Sequence, residues 1–147
     1  MEKEYLLTSA CLLGVTCRYD GRSKPLDKAA LEALMEKYCV IPVCPECLGG
    51  LPIPRDPSER RGERVVMRTG RDVTENYLRG AEETLRLAKM YGCKKALLKE
   101  RSPSCGSGSI YDGSFSGSLV PGDGTAAALR KENGISVFGE SRISELL

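Results

Sequence analysis

Histidine and tryptophan are absent from this 147-residue chain, phenylalanine occurs twice, and the formal net charge is only +2. Each shortage closes off some chemistry. Without imidazole there is no Ser-His or Cys-His nucleophile pair and no mixed Cys/His zinc site, so any general base is a carboxylate, lysine, tyrosine or thiolate. With so few large aromatics, a stacking platform for single strands is poorly supplied, and so small a net charge gives no general attraction to nucleic acid. Free polynucleotide is therefore not expected as the main partner. No apolar run approaches the roughly 18 to 20 residues that cross a bilayer, so no membrane partner is expected. Met1-Glu2-Lys3-Glu4 lacks the basic and then apolar build of a secretory signal, which points to the cytoplasm, where thiols stay reduced.

What the chain does have is cysteine, seven in all. In a reducing compartment these suggest metal ligation or catalysis before disulfides, although free cysteines also serve as small buried hydrophobes. The 41% apolar and 29% charged content is ordinary for a globular protein, and the length suits one domain over residues 1–147.

Four short, near-continuous apolar runs, Tyr5 to Ala10, Cys39 to Val43, Lys95 to Lys99 and Ile135 to Phe138, read as parallel strands covered on both faces. Helical signals lie between them. Leu26 to Tyr38 carries Ala30, Leu34 and Tyr38 at helical spacing, and Asp72-Val73-Thr74-Glu75 reads as a capping box opening a helix to about Met90. That helix has a stripe of Tyr77, Ala81, Leu85 and Ala88 and a stop at Gly92, and a third helix is expected over Thr125 to Glu132. Alternating strands and helices predict an α/β fold, a three-layer α/β/α (Rossmann-like) domain with a mainly parallel sheet. Residues 48–70 read as a flap with one short strand at Arg64 to Met67, and residues 102–124 as a long Gly- and Ser-rich loop.

In an open parallel sheet, ligands bind beyond the carboxyl ends of the strands. Cys11, Cys44 and Cys105 each follow one of the first three main strands, so three thiols should meet at one edge. Two metals remain open for them. Zinc, closed by four ligands, would recruit Cys47 from Cys44-Pro45-Glu46-Cys47, whereas a cubane iron–sulfur cluster on three cysteines leaves one iron free, thiophilic and Lewis acidic. A thioredoxin-like use of Cys44 and Cys47 is disfavoured, because Leu48-Gly49-Gly50-Leu51-Pro52 breaks the helix that would lower the first thiol's pKa. Cys39 and Cys93 read as structural, and Cys17, in a loop near Cys11, less plainly so.

Five segments together resemble the thiouracil desulfidase family across nearly the whole chain: Ser9-Ala10-Cys11-Leu12-Leu13-Gly14, Arg18-Tyr19-Asp20-Gly21, Cys44-Pro45-Glu46 with Leu48-Gly49-Gly50-Leu51, Ser102-Pro103-Ser104-Cys105-Gly106, and Ile110-Tyr111-Asp112-Gly113-Ser114-Phe115-Ser116-Gly117. The resemblance implies a 4Fe-4S cluster held by Cys11, Cys44 and Cys105, and non-redox removal of sulfur from a small thiopyrimidine, either a thiouracil base or thiouridine monophosphate. It also implies a catalytic role for Glu46. Cys47 stands where the family usually has an apolar residue, and a thiolate there could close the fourth iron.

Glu46 is also the best-placed carboxylate to activate water, and Ser102, three residues before Cys105, could hydrogen-bond the ring or that water. Arg55, Arg60, Arg61, Arg64 and Arg68 form a cluster that could receive an anion, and the Gly-Ser stretch offers free N–H groups for phosphate. Asp20, Asp112 and Asp123 read as scaffolding that pairs with Arg18 or Arg55. The competing functions are a non-catalytic zinc or cluster-binding module, and a sulfur carrier using a persulfide on Cys47 or Cys17.

Overall fold

The computed structural model describes residues 2–147, so Met1 of the opening segment lies outside the described residues. Four parallel strands form the main sheet: β1 (Glu4–Ser9), β2 (Tyr38–Val43), β5 (Lys95–Leu98) and β8 (Ser136–Gly139). Their order is β2-β1-β5-β8, so the connection direction reverses between β1 and β5. All four runs predicted as strands are strands. On central β1, Leu6 and Leu7 are both fully buried on opposite faces, which explains the lack of polar alternation.

One face is covered by α3 (Thr74–Tyr91) and α4 (Thr125–Glu132), whose Leu85, Ala88 and Ala127 pack against Leu7, Ala96, Leu98 and Val137. The other is covered by α1 (Lys28–Lys37) and a C-terminal 3-10 segment (Glu140–Glu145), with Leu34, Tyr38 and Leu146 against Leu6 and Leu97. The result is the three-layer α/β/α arrangement. The Tyr38 hydroxyl donates to the Leu146 carbonyl at 2.6 Å and ties the C-terminus to this layer.

Three local expectations need correction. The first helix is narrower than Leu26 to Tyr38: Asp27 caps it by accepting from the Ala30 N–H at 2.8 Å, and Tyr38 already begins β2. At α3 the cap is not a box. Val73 takes the N-cap position, Asp72 accepts from the Thr74 N–H at 2.9 Å, and the Thr74 hydroxyl accepts from the Val65 N–H. The flap holds its expected strand Arg64 to Met67 as β4, but β4 pairs with an unforeseen β3 (Ser58–Arg61), and the supposed Gly- and Ser-rich loop contains a second antiparallel hairpin, β6 (Ser109–Tyr111) with β7 (Leu119–Pro121). The first packs Val65 and Met67 on Val73 and Tyr77 of α3.

A one-turn helix, α2 (Pro45–Leu48), joins β2 to the first hairpin. It lies so close to α3 that a Cβ on Gly80 would stand 1.9 Å from the Pro45 carbonyl oxygen, and the Asn76 amide donates to the Gly49 carbonyl at 2.9 Å. Among the described residues no helix is long and apolar enough to cross a membrane.

Candidate active site

The register of the sheet brings three chain turns to one edge. Ser9 of β1 stands opposite Val43 of β2, and the Ser9 hydroxyl accepts from the Lys99 N–H at 2.9 Å, which aligns the end of β5. Immediately beyond, Cys11 lies in the 3-10 turn Ala10–Leu13, Cys44 caps α2 with Pro45 at the first helical position, and Cys105 sits in the turn after β5. That last turn is organised by Ser102, whose hydroxyl accepts from the Ser104 and Cys105 N–H groups, each at 3.1 Å. The Ser104 carbonyl in turn accepts from the Ala126 and Ala127 N–H groups of α4. A Cβ on Gly124 would stand 2.4 Å from the Ser104 carbonyl carbon, so glycine there permits the docking.

Cys11, Cys44, Cys105, Glu46 and Ser102 all line one cleft of about 650 Å³, large enough for a small molecule together with a bound group. The cleft lies at the β1/β5 switch point, where the crevice rule places ligand sites. Cys17 also lines it, although its loop position gave only a weak hint. Cys47, half-buried, does not reach the lining, whereas Cys39 lies in β2 and Cys93 between α3 and β5.

Glu46 is held from two sides. Its Oε2 pairs with the Arg55 guanidinium, whose side chain is 2% exposed, and its Oε1 accepts from the Ser102 hydroxyl at 3.4 Å. Arg55 also donates to the carbonyls of Cys17 and Pro52, at 3.0 and 3.1 Å. Burial opposes the Arg55 charge, but the Glu46 carboxylate more than offsets it and raises the guanidinium's pKa. Sequence reasoning missed this pair. It depends on the path of residues 49–55, which bring Arg55 back over α2, and no periodic signal marks that return.

The remaining arginines disperse. Arg60 donates to the Asp123 carbonyl, Arg61 to the Gly113 carbonyl at 2.7 Å, and Arg64 pairs with Asp72, so only Arg55 and Arg68 of the five reach the cleft. Arg68 lies over the Phe115 ring at 5.6 Å. Asp20 pairs with Arg18 as expected, whereas Asp123 pairs with Lys131 and Asp112 accepts from Ser114.

Burial, the largest influence, pushes the Cys105 thiol up to about 11 against a hydrogen bond from Ser9. Hydrogen bonding to Cys11 pushes Cys17 up to about 11, and burial does the same to Cys47. Cys44 rises as well, first through hydrogen bonding to Cys17 and then through burial. A helix begins within the Cys44–Cys47 motif but ends after one turn at Gly49, where the sequence Leu48-Gly49-Gly50-Leu51-Pro52 was expected to break it. Its first thiol is raised rather than lowered, which is the wrong direction for thiol exchange.

All seven cysteines are free thiols. Among the described residues, no three Cys, His, Asp or Glu side chains gather closely enough to hold a single ion, as tetrahedral zinc with bonds of about 2.3 Å requires. An all-sulfur donor set spread around the wall of a cleft fits a larger iron–sulfur cluster, whose protein ligands are thiolates.

A structural comparison finds a 4Fe-4S-dependent thiouracil desulfidase, TudS, similar at 50% identity with a TM-score of 0.94 over 98% of this chain and 95% of that one. The uncharacterized protein YbbK of Bacillus subtilis (strain 168) is 40% identical, with the alignment covering 97% of this chain and 99% of YbbK. A profile of the 2-thiouracil desulfurase family matches residues 6–142, and the chain belongs to that family.

Proposed function

We propose that this chain is a cytoplasmic iron–sulfur enzyme, one domain throughout, that exchanges the sulfur of a thiolated pyrimidine for oxygen without net redox change. The observation that carries this reading is the meeting of Cys11, Cys44 and Cys105 in one cleft with the Glu46–Ser102 pair. The likeness to a protein described as a thiouracil desulfidase supports it. Cys11, Cys44 and Cys105 would hold the 4Fe-4S cluster, and three ligands would leave its fourth iron open to the substrate. When bound, the cluster supplies a soft Lewis acid matched to a thiocarbonyl sulfur.

The protein's own groups manage water and protons. The overall exchange is C=S plus water giving C=O plus hydrogen sulfide. Arg55 fixes Oε2 of Glu46, which leaves Oε1 for Ser102 and for water. Glu46 takes a proton from the water that attacks the thiocarbonyl carbon and returns it to the departing sulfur. Ser102 orients the carboxylate through its hydroxyl. Tyr111 and Phe115 line the same cleft and add apolar wall for a pyrimidine ring, and Arg68 and Lys24 there suit the phosphate of a nucleotide substrate.

The test is anaerobic turnover of 2-thiouracil, 4-thiouracil and 4-thiouridine monophosphate by the cluster-loaded protein, with both products quantified. Equal sulfide and oxo-pyrimidine is the expected result, with Arg68→Ser raising KM for the monophosphate alone. A product that lacks the new oxygen would overturn the hydrolytic reading.

A further inference from the structure

Arg130 is the least expected buried residue in the molecule. It lies on α4 beside Ala126 and Ala127, is 0% exposed, and its Nε, Nη1 and Nη2 atoms all lack a hydrogen-bond partner. Arginine does not lose its proton in proteins, and a buried charge without a partner is strongly unfavourable. Such a residue persists where something absent from the polypeptide completes it.

The surroundings indicate what that is. Among the described residues, four side chains have buried polar atoms without partners: Ser58, Ser104, Thr125 and Arg130. Ser58 lines the cleft, Ser104 precedes Cys105, and Thr125 and Arg130 lie on the helix docked against the Cys105 turn. Ala127, which with Ala126 and Arg130 forms the buried face of α4, packs in one core cluster with Cys105 and Cys93, and these two thiols are the ionisable groups that act on the Arg130 charge. Both are neutral as thiols and give a guanidinium little, whereas a ligating thiolate together with its cluster carries the negative charge that Arg130 lacks.

We propose that Arg130 is a positioning residue that acts as the buried counter-ion of the cluster, its fixed charge standing behind Cys105 and offsetting that of thiolate and cluster. This inference rests on the cluster reading above. It makes the metal-free protein carry an uncompensated charge that cluster binding relieves, so the same side chain disfavours one form and favours the other. A merely structural arginine would support both.

The test compares wild type, Arg130→Met and Arg130→Lys, prepared without oxygen, by iron loss to a chelator, by the cluster's midpoint potential, and by the melting temperature of the metal-free form. The methionine variant is expected to lose iron at least tenfold faster. Its potential should shift negative by about 59 mV, a tenfold change in the one-electron ratio, because removing a positive charge disfavours adding an electron. Its metal-free form should melt no lower than wild type, and lysine should restore potential and retention. Unchanged potential and chelator rate, or a metal-free methionine variant that melts lower or fails to fold, would overturn the proposal. So would Cys93→Ser reproducing the methionine phenotype. A wild-type protein that takes up no iron instead removes the cluster reading itself.

Discussion

Glu46 sits between a guanidinium on one oxygen and a hydroxyl on the other. If it moves the proton of the reaction, Glu46→Gln keeps shape and hydrogen bonding but loses the base, and kcat should fall by about 10²- to 10⁴-fold with iron content unchanged. Iron analysis beside the assay separates this from cluster loss. Arg55→Met should act on stability too, since removing one partner of a buried pair typically costs about 3–5 kcal/mol, here toward the low end because Glu46 retains some solvent contact; chemical denaturation measures it. The thiols carry a pH dependence. Cys105 and Cys17, pushed up to about 11, hold protons in the folded metal-free state that unfolded thiols release near 9. The metal-free fold should therefore be unaffected below pH 8 and lose stability as pH rises from about 9 toward 11. Cluster uptake must displace the protons of the ligating thiols, that of Cys105 among them, so it should strengthen with rising pH over the neutral range. The meeting of Cys11, Cys44 and Cys105 at one edge was legible because Cys11 and Cys44 directly follow apolar strand runs and Cys105 lies in the turn after the third, whereas the settings of Arg55 and Arg130 were not, because they are made by contacts distant in sequence.

At the level of elements, α2 carries Glu46 and is preceded by Cys44 at its N-cap, and its position depends on Gly80 of α3. Gly80→Ala places a methyl against the Pro45 carbonyl, so α2 must move, and we expect a loss of about 1–3 kcal/mol together with lower iron occupancy. Denaturation midpoints and iron per chain report the two effects separately. The long helices and core strands could be read from sequence since their apolar spacing persists over many residues. Of the hairpins only β4 could, the strand expected at Arg64 to Met67; β6 and β7 are three residues each, too short for a two-residue period to stand out among glycines and serines. The cap of α3 was misread for a related reason. Asp72 and Glu75 have capping-box spacing, but Thr74 is drawn to β4, a partner that local sequence does not reveal.

For the whole molecule, sheet order decides where chemistry can occur. Because β1 and β5 are neighbours whose connections leave in opposite directions, their turns open a crevice, and β2 adds a third thiol beside it. The strand–helix alternation made this architecture predictable, but not the order of the strands or the volume they enclose. The central claim is that these thiols bind a cluster needed for sulfur removal. The most direct measurement is iron, acid-labile sulfide and sulfide release from 2-thiouracil for the anaerobically reconstituted protein, beside Cys105→Ala. The account predicts a four-iron cluster and stoichiometric uracil for wild type, and loss of both in the variant. Full cluster loading without sulfide release from any thiopyrimidine, or release undiminished in Cys105→Ala, would contradict it.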